Sequence, residues 1–106
     1  MQLISIARDT DEVAQIAVGN GINLANSYLT TRFENLDSFQ SRNQNEQQDF
    51  ADGLEKMSNE LIKDDPQTAL GFDLYAIWLR ALIGHDDTFT DYCKEEMATL
   101  SRKADI

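Results

Sequence analysis

A chain of 106 residues is the size of one domain, with material for a single modest core and little left to wall a deep catalytic cleft. Nineteen Asp and Glu against nine Lys and Arg leave a formal charge of −10, which counts against binding nucleic-acid backbone or anionic lipid, since both are held by cations. One cysteine, Cys93, excludes an internal disulfide.

The opening MQLISIARDTDE has no cationic lead and an apolar stretch about half the length of an export signal, so a cytoplasmic protein is expected. Residues 1–8 read equally as an extended arm or an early helical turn. With one Pro and sparse Gly the punctuation favours long helices over short strands. A first helix is predicted from Asp9, with Glu12 completing a capping box. Its apolar stripe runs Val18, Ile22, Ala25, Leu29, Phe33, Leu36, at steps of three or four. That phase implies one helix to about Gln40, with Gly19 and Gly21 the place for a kink, because each glycine weakens a helix by about 1 kcal/mol.

SRNQNEQQ, at 41–48, reads as a polar connection, and a second helix follows Asn45. Phe50, Leu54, Met57 and Leu61 form its buried seam. Asp49, Asp52, Glu55, Lys56, Glu60 and Lys63 lie on its outer side, where Asp52, Lys56 and Glu60 stand at ladder spacing. The third helix starts with Asp65 as cap and Pro66 in the first turn, and Gly84 ends it. A fourth begins at Thr88, with Asp91 three residues on as its capping partner. Phe89, Cys93, Met97 and Leu100 form its apolar edge, and Arg102 and Lys103 stand at its C-terminal end. The whole reads as a single all-α domain spanning 1–106, an antiparallel four-helix bundle with a long first helix.

The third helix is apolar nearly all round. At about 100° per residue, Asp73, Arg80 and Gly84 share a narrow strip. Asp73 and Arg80 also interrupt LGFDLYAIWLRALIG, which is too short to span a bilayer. Such a helix is packed on several sides. Its large side chains Phe72, Tyr75, Trp78, Leu79 and Leu82 belong either to the core or to a surface that meets a second copy of the chain.

Chemical signatures are thin. His85 is the only histidine, so the acidic run around it, with Asp86, Asp87, Asp91 and Cys93, offers too few soft ligands for zinc. The His85–Asp86 pair resembles one element of the HD phosphohydrolases, whose further histidines this chain lacks. His85 is better placed as a donor at the end of the third helix. Cys93 has no base to activate it and falls on an apolar edge. No EF-hand loop, Gly-rich phosphate loop or G-x-S-x-G occurs. No catalytic residue, metal or cofactor is expected.

Half of the charge excess lies in residues 43–66, with two bases against seven acids. The expectation is a non-enzymatic, acidic protein-interaction module of the inhibitor, immunity or antitoxin, adaptor or chaperone kind, binding a basic protein through Asp49, Asp52, Glu55 and Glu60 and forming a homodimer. A DNA mimic blocking a nucleic-acid-binding protein is the alternative, and a small enzyme or metal site around His85 is the second.

Overall fold

The computed structural model describes residues 12–104 and is all-helical over them. Four long helices, α1 (Glu12–Phe33), α3 (Gln44–Leu61), α4 (Pro66–Ile83) and α5 (Asp87–Ala104), are joined by short turns, with a five-residue helix α2 (Leu36–Gln40) after the first. The Asp9 cap and the opening arm lie outside the described residues. The expected all-α bundle is what the chain forms.

The first helix ends at Phe33, earlier than the apolar spacing implied. Glu34 turns into the left-handed region with φ 74°, and Asn35 then caps α2, its side chain accepting from the Ser38 N–H at 2.8 Å. The spacing misled because the turned chain comes back to the same core: Phe39 on α2 is completely buried. Phe33, Phe39 and Phe50 meet edge to face, with centroids 5.2–5.8 Å apart. The guanidinium groups of Arg32 and Arg42 lie over the Phe33 ring. One end of the bundle is therefore sealed by an aromatic cluster under two cations.

Other ends differ from the sequence reading in detail. Asn43, not Asn45, caps α3 through the Glu46 N–H at 2.9 Å. The polar connection is knitted by the buried Gln47 amide, which donates to the carbonyls of Gln40 and Arg42. Asp65 caps α4 as expected, with Pro66 in the first turn. Its far end closes with His85 as the left-handed residue, at φ 59°. The His85 N–H donates to the Leu82 carbonyl and the Asp86 N–H to the Ala81 carbonyl, the double bond of a Schellman motif. Glycine is the usual occupant of that position, and Gly84 stands one residue before it. Asp86 then caps α5 through the Phe89 N–H, in place of Thr88.

α4 is the central helix, packed on α1, α3 and α5. It lies antiparallel to α3, where the buried Ser58 hydroxyl donates to the Ala69 carbonyl. The closest approach is between α1 and α4, which run the same way and would be the diagonal pair of a regular up-and-down bundle. Glycine makes this possible. A Cβ placed on Gly71 would stand 2.7 Å from Gly21 Cα and Ile22 N, inside any tolerable separation. Gly19 does the same against α5, where an added Cβ would meet the Leu100 carbonyl carbon at 2.9 Å. The two glycines therefore do not kink α1, which runs helical through both; they let its backbone touch two neighbours. Drawing the diagonal pair together opens one side of the bundle, because α1 and α3 then scarcely touch.

Candidate functional site

Three surfaces follow from this arrangement. The first is the acidic outer side of α3. Asp49, Asp52, Glu55 and Glu60 are all exposed there, but two of them are engaged within the chain. Arg80 of α4 reaches Asp52 at 2.5 Å and Glu55 at 2.8 Å, clipping α4 to α3. The expected ladder through Lys56 is not formed; Asp52 turns to Arg80 instead. Asp49 and Glu60 make no ion pair among the described residues and face solvent. Half-buried Asp73 sits beside the clip, and its carboxyl is raised above the ordinary aspartate value. Burial is the main cause, the Glu55 charge adds to it, and the neighbouring Ser58 hydroxyl and the Arg80 charge oppose it.

The second surface is the opening between α1 and α3. Two hollows that share Tyr28 run along it, about 680 Å³ and 280 Å³ in volume. Phe72 of α4 and Leu61 line the larger, and Phe50, Leu54 and Met57 line the smaller. Gly53 leaves the smaller hollow unfilled, since a Cβ there would meet nothing within 4 Å. Leu24 and Tyr28, one turn apart on α1, are about half exposed at its edge, at 48% and 47%. Ile62, at the end of α3, is 53% exposed. Asp65 borders one hollow and Asp49 the other. Half-exposed apolar residues and carboxylates therefore lie together along this opening. Sequence reasoning put Asp49 on the outer side of α3, where it is exposed, but missed the groove. Leu24 and Tyr28 fall off the buried stripe of α1, and nothing in the spacing shows that α3 stands away from them.

The third surface is an open hollow of about 210 Å³ between α1, α4 and α5. Its polar wall is organised by two cross-helix bonds: Tyr75 Oη donates to Asn26 Oδ1 at 2.8 Å, and Ser101 Oγ to Asn23 Oδ1 at 2.5 Å. Burial pushes the Tyr75 hydroxyl well above the usual phenol range, so it stays a neutral donor. Trp78 packs edge to face on Tyr75 at 5.2 Å. Its indole N–H is buried without a hydrogen-bond partner.

The other sequence candidates resolve as follows. Phe72, Tyr75, Trp78 and Leu79 are buried inside their own chain, at 0–7% exposure, and half-buried Leu82 packs against the same core. The apolar excess of α4 is thus covered by α1, α3 and α5. His85 is exposed, and its backbone rather than its imidazole closes the helix. Cys93 is buried, and burial raises its thiol further from ionisation. Among the described residues no three His, Cys, Asp or Glu side chains gather as a metal ion requires. Nor is any helix of the described residues long and apolar enough to cross a membrane.

The chain matches no family model, no characterised protein and no solved structure.

Proposed function

We propose that the protein is a non-enzymatic interaction module that receives a basic amphipathic helix of a partner protein in the groove between α1 and α3. The observation that carries this reading is the half-exposed apolar pair Leu24 and Tyr28 beside an opening lined by Met57, Leu61 and Phe72 and bordered by Asp49 and Asp65. From Asn20 to Arg32 the α1 side of the groove is about 18 Å long, at about 1.5 Å per residue, which matches roughly three turns of a docked helix. Apolar anchors at i, i+3 and i+4 on such a helix would meet Leu24, Tyr28 and Met57. Flanking Lys or Arg would meet Asp49, Glu60 and the Asp64–Asp65 turn. An inhibitor, immunity protein, antitoxin, adaptor or dedicated chaperone could each use such a groove.

A second copy is a poorer occupant. Each chain carries −10, so two acidic rims would repel, and the α4 side chains considered for self-association are already in the core. The DNA-mimic reading is weakened as well, because Arg80 engages two of the four outer carboxylates and offsets one of their charges, and Lys56 and Lys63 stand among the rest.

The test is cross-linked capture from the native host by the wild-type protein and by Leu24→Asp with Tyr28→Asp. Both positions are exposed, so the fold tolerates the change, and circular dichroism checks that it does. The expected result is a partner cross-linked through a basic helical segment, lost in the double variant and weakened by salt. Capture that survives both perturbations, cross-linking through an acidic segment, or a dimer of the chain itself in light scattering overturns the reading.

A further inference from the structure

We infer that Gly53 is the seat of a specificity anchor: the docked partner helix sets one aromatic side chain into the smaller hollow, where this glycine leaves α3 without a side chain. The inference rests on the interaction reading of the groove and names the partner residue that the groove selects. It starts from a comparison of glycines. A glycine inside a helix weakens it relative to alanine, and three such glycines in this fold are required by their own chain. A Cβ on Gly19, Gly21 or Gly71 would collide with the backbone carbonyl of Leu100, Thr68 or Val18, respectively. Gly53, in the interior of α3, has no such neighbour, since a Cβ there would meet nothing within 4 Å. It stands between Phe50 and Met57, at spacings of three and four, and is the gap in their apolar row. A helical glycine that internal packing does not require is accounted for by the close approach of a ligand.

The chemistry around the gap favours a ring. Tyr28 and Arg32 line the hollow on the α1 side, and Phe50 and Met57 line it on either side of Gly53. Tyr28 and Phe50 offer ring faces and edges, and Met57 offers a polarisable thioether. The Arg32 guanidinium lies 5.2 Å from the Phe33 ring centroid and 6.0 Å from that of Phe50, so a third ring seated beside Phe50 comes within its reach. Each of these neighbours gains more from an aromatic group than from a branched aliphatic one. A space of about 150 Å³ takes benzene, so the 280 Å³ of the smaller hollow has room for a phenyl or indole group. Because the hollow is open along the groove, the stem of that side chain can run back to a helix lying above it.

The probes are three amphipathic Leu–Lys peptides of about four helical turns, alike except for Phe, Leu or Ala at the centre of the apolar face. Each is titrated at low salt by calorimetry. The expected order of affinity is Phe, then Leu, then Ala, with Phe about tenfold tighter than Ala for a ring that the hollow buries in part. Gly53→Ala is expected to melt higher than the wild type yet to bind the Phe peptide about threefold to tenfold more weakly, with the Ala peptide unchanged. A glycine with only a structural role would not move affinity and stability in opposite directions. Leu24→Ser, at an exposed position beside the larger hollow, is expected to weaken all three peptides. If no peptide binds, or Leu24→Ser binds them as the wild type does, the groove reading falls and the anchor with it. If the peptides bind in the groove but Phe has no advantage over Leu and Ala, or Gly53→Ala keeps the wild-type affinity for Phe, the anchor alone is overturned.

Discussion

Replacing Gly71 and Gly53 by alanine, one at a time, is expected to move stability in opposite directions. Both are helical, so both gain about 1 kcal/mol from the better propensity of alanine. They differ in what the new methyl meets. At Gly53 nothing lies within 4 Å, so the propensity gain stands alone. At Gly71 the methyl would stand 2.7 Å from Gly21 Cα and Ile22 N, and these are backbone atoms that no rotamer change can move. α1 and α4 must separate instead. Such overpacking costs about 1–3 kcal/mol, and a backbone-on-backbone clash belongs at the upper end. The net for Gly71→Ala is a loss of about 2 kcal/mol, or roughly 10 °C in Tm for a domain of this size. Gly53→Ala should gain about 1 kcal/mol, or roughly 5 °C. Thermal and urea unfolding followed by circular dichroism would read both. A Gly71→Ala protein as stable as the wild type would refute the glycine crossing, and with it the reason given for the open side between α1 and α3.

Two further substitutions test the local chemistry. His85→Gly is expected to stabilise by about 0.5–1 kcal/mol in urea unfolding, because His85 holds a left-handed conformation that favours glycine; a loss of stability would show that the imidazole itself supports the helix end. Asp73→Asn is expected to stabilise more at pH 7 than at pH 4. The folded carboxyl holds its proton more tightly than the unfolded one, so its favourable contribution is complete at low pH and disappears as pH rises through the raised value. A difference between wild type and variant that is the same at both pH values would refute the burial of that carboxyl.

The contrast between what was legible and what was not has a physical basis. Periodicity found every long helix, because burial of one stripe is written in spacings of three and four. The reading of α4 as a helix packed on several sides followed from its lack of a polar face. Periodicity cannot separate a helix that continues from one that stops and returns to the same core, so Glu34 and Asn35 were read through. The glycines of α1 were read as weaknesses because a single chain shows their propensity but not the backbone they face. The same blindness hid the groove, since its existence depends on the distance between α1 and α3. The acidic face was found as a composition, but its division between Arg80 and solvent depends on α4 lying beside it. The open hollow between α1, α4 and α5 left no sequence signal at all: Asn23, Asn26, Tyr75, Trp78, Lys94 and Ser101 come from three helices with no common spacing.

The charge of the protein bears on both its stability and its proposed partner, and salt should move the two in opposite directions. Asp49, Glu60 and Asp64 face water with no cation paired to them among the described residues, and the ion pairs of Arg80 and Arg42 neutralise few of the nineteen acids. Repulsion among the rest works against the compact state. Raising ionic strength from about 0.01 M to about 0.1 M shortens the screening length from about 30 Å to about 10 Å, which removes most repulsion across a domain of this size. The exposed Arg80 clip is weakened too, but such pairs are worth at most about 1 kcal/mol. The urea midpoint is therefore expected to rise with salt over this range, while affinity for a basic partner falls because the same screening removes its attraction. A midpoint that falls with salt would mean that the Arg80 clip outweighs the repulsion, and the carboxylates would then be serving the fold rather than standing ready for a partner.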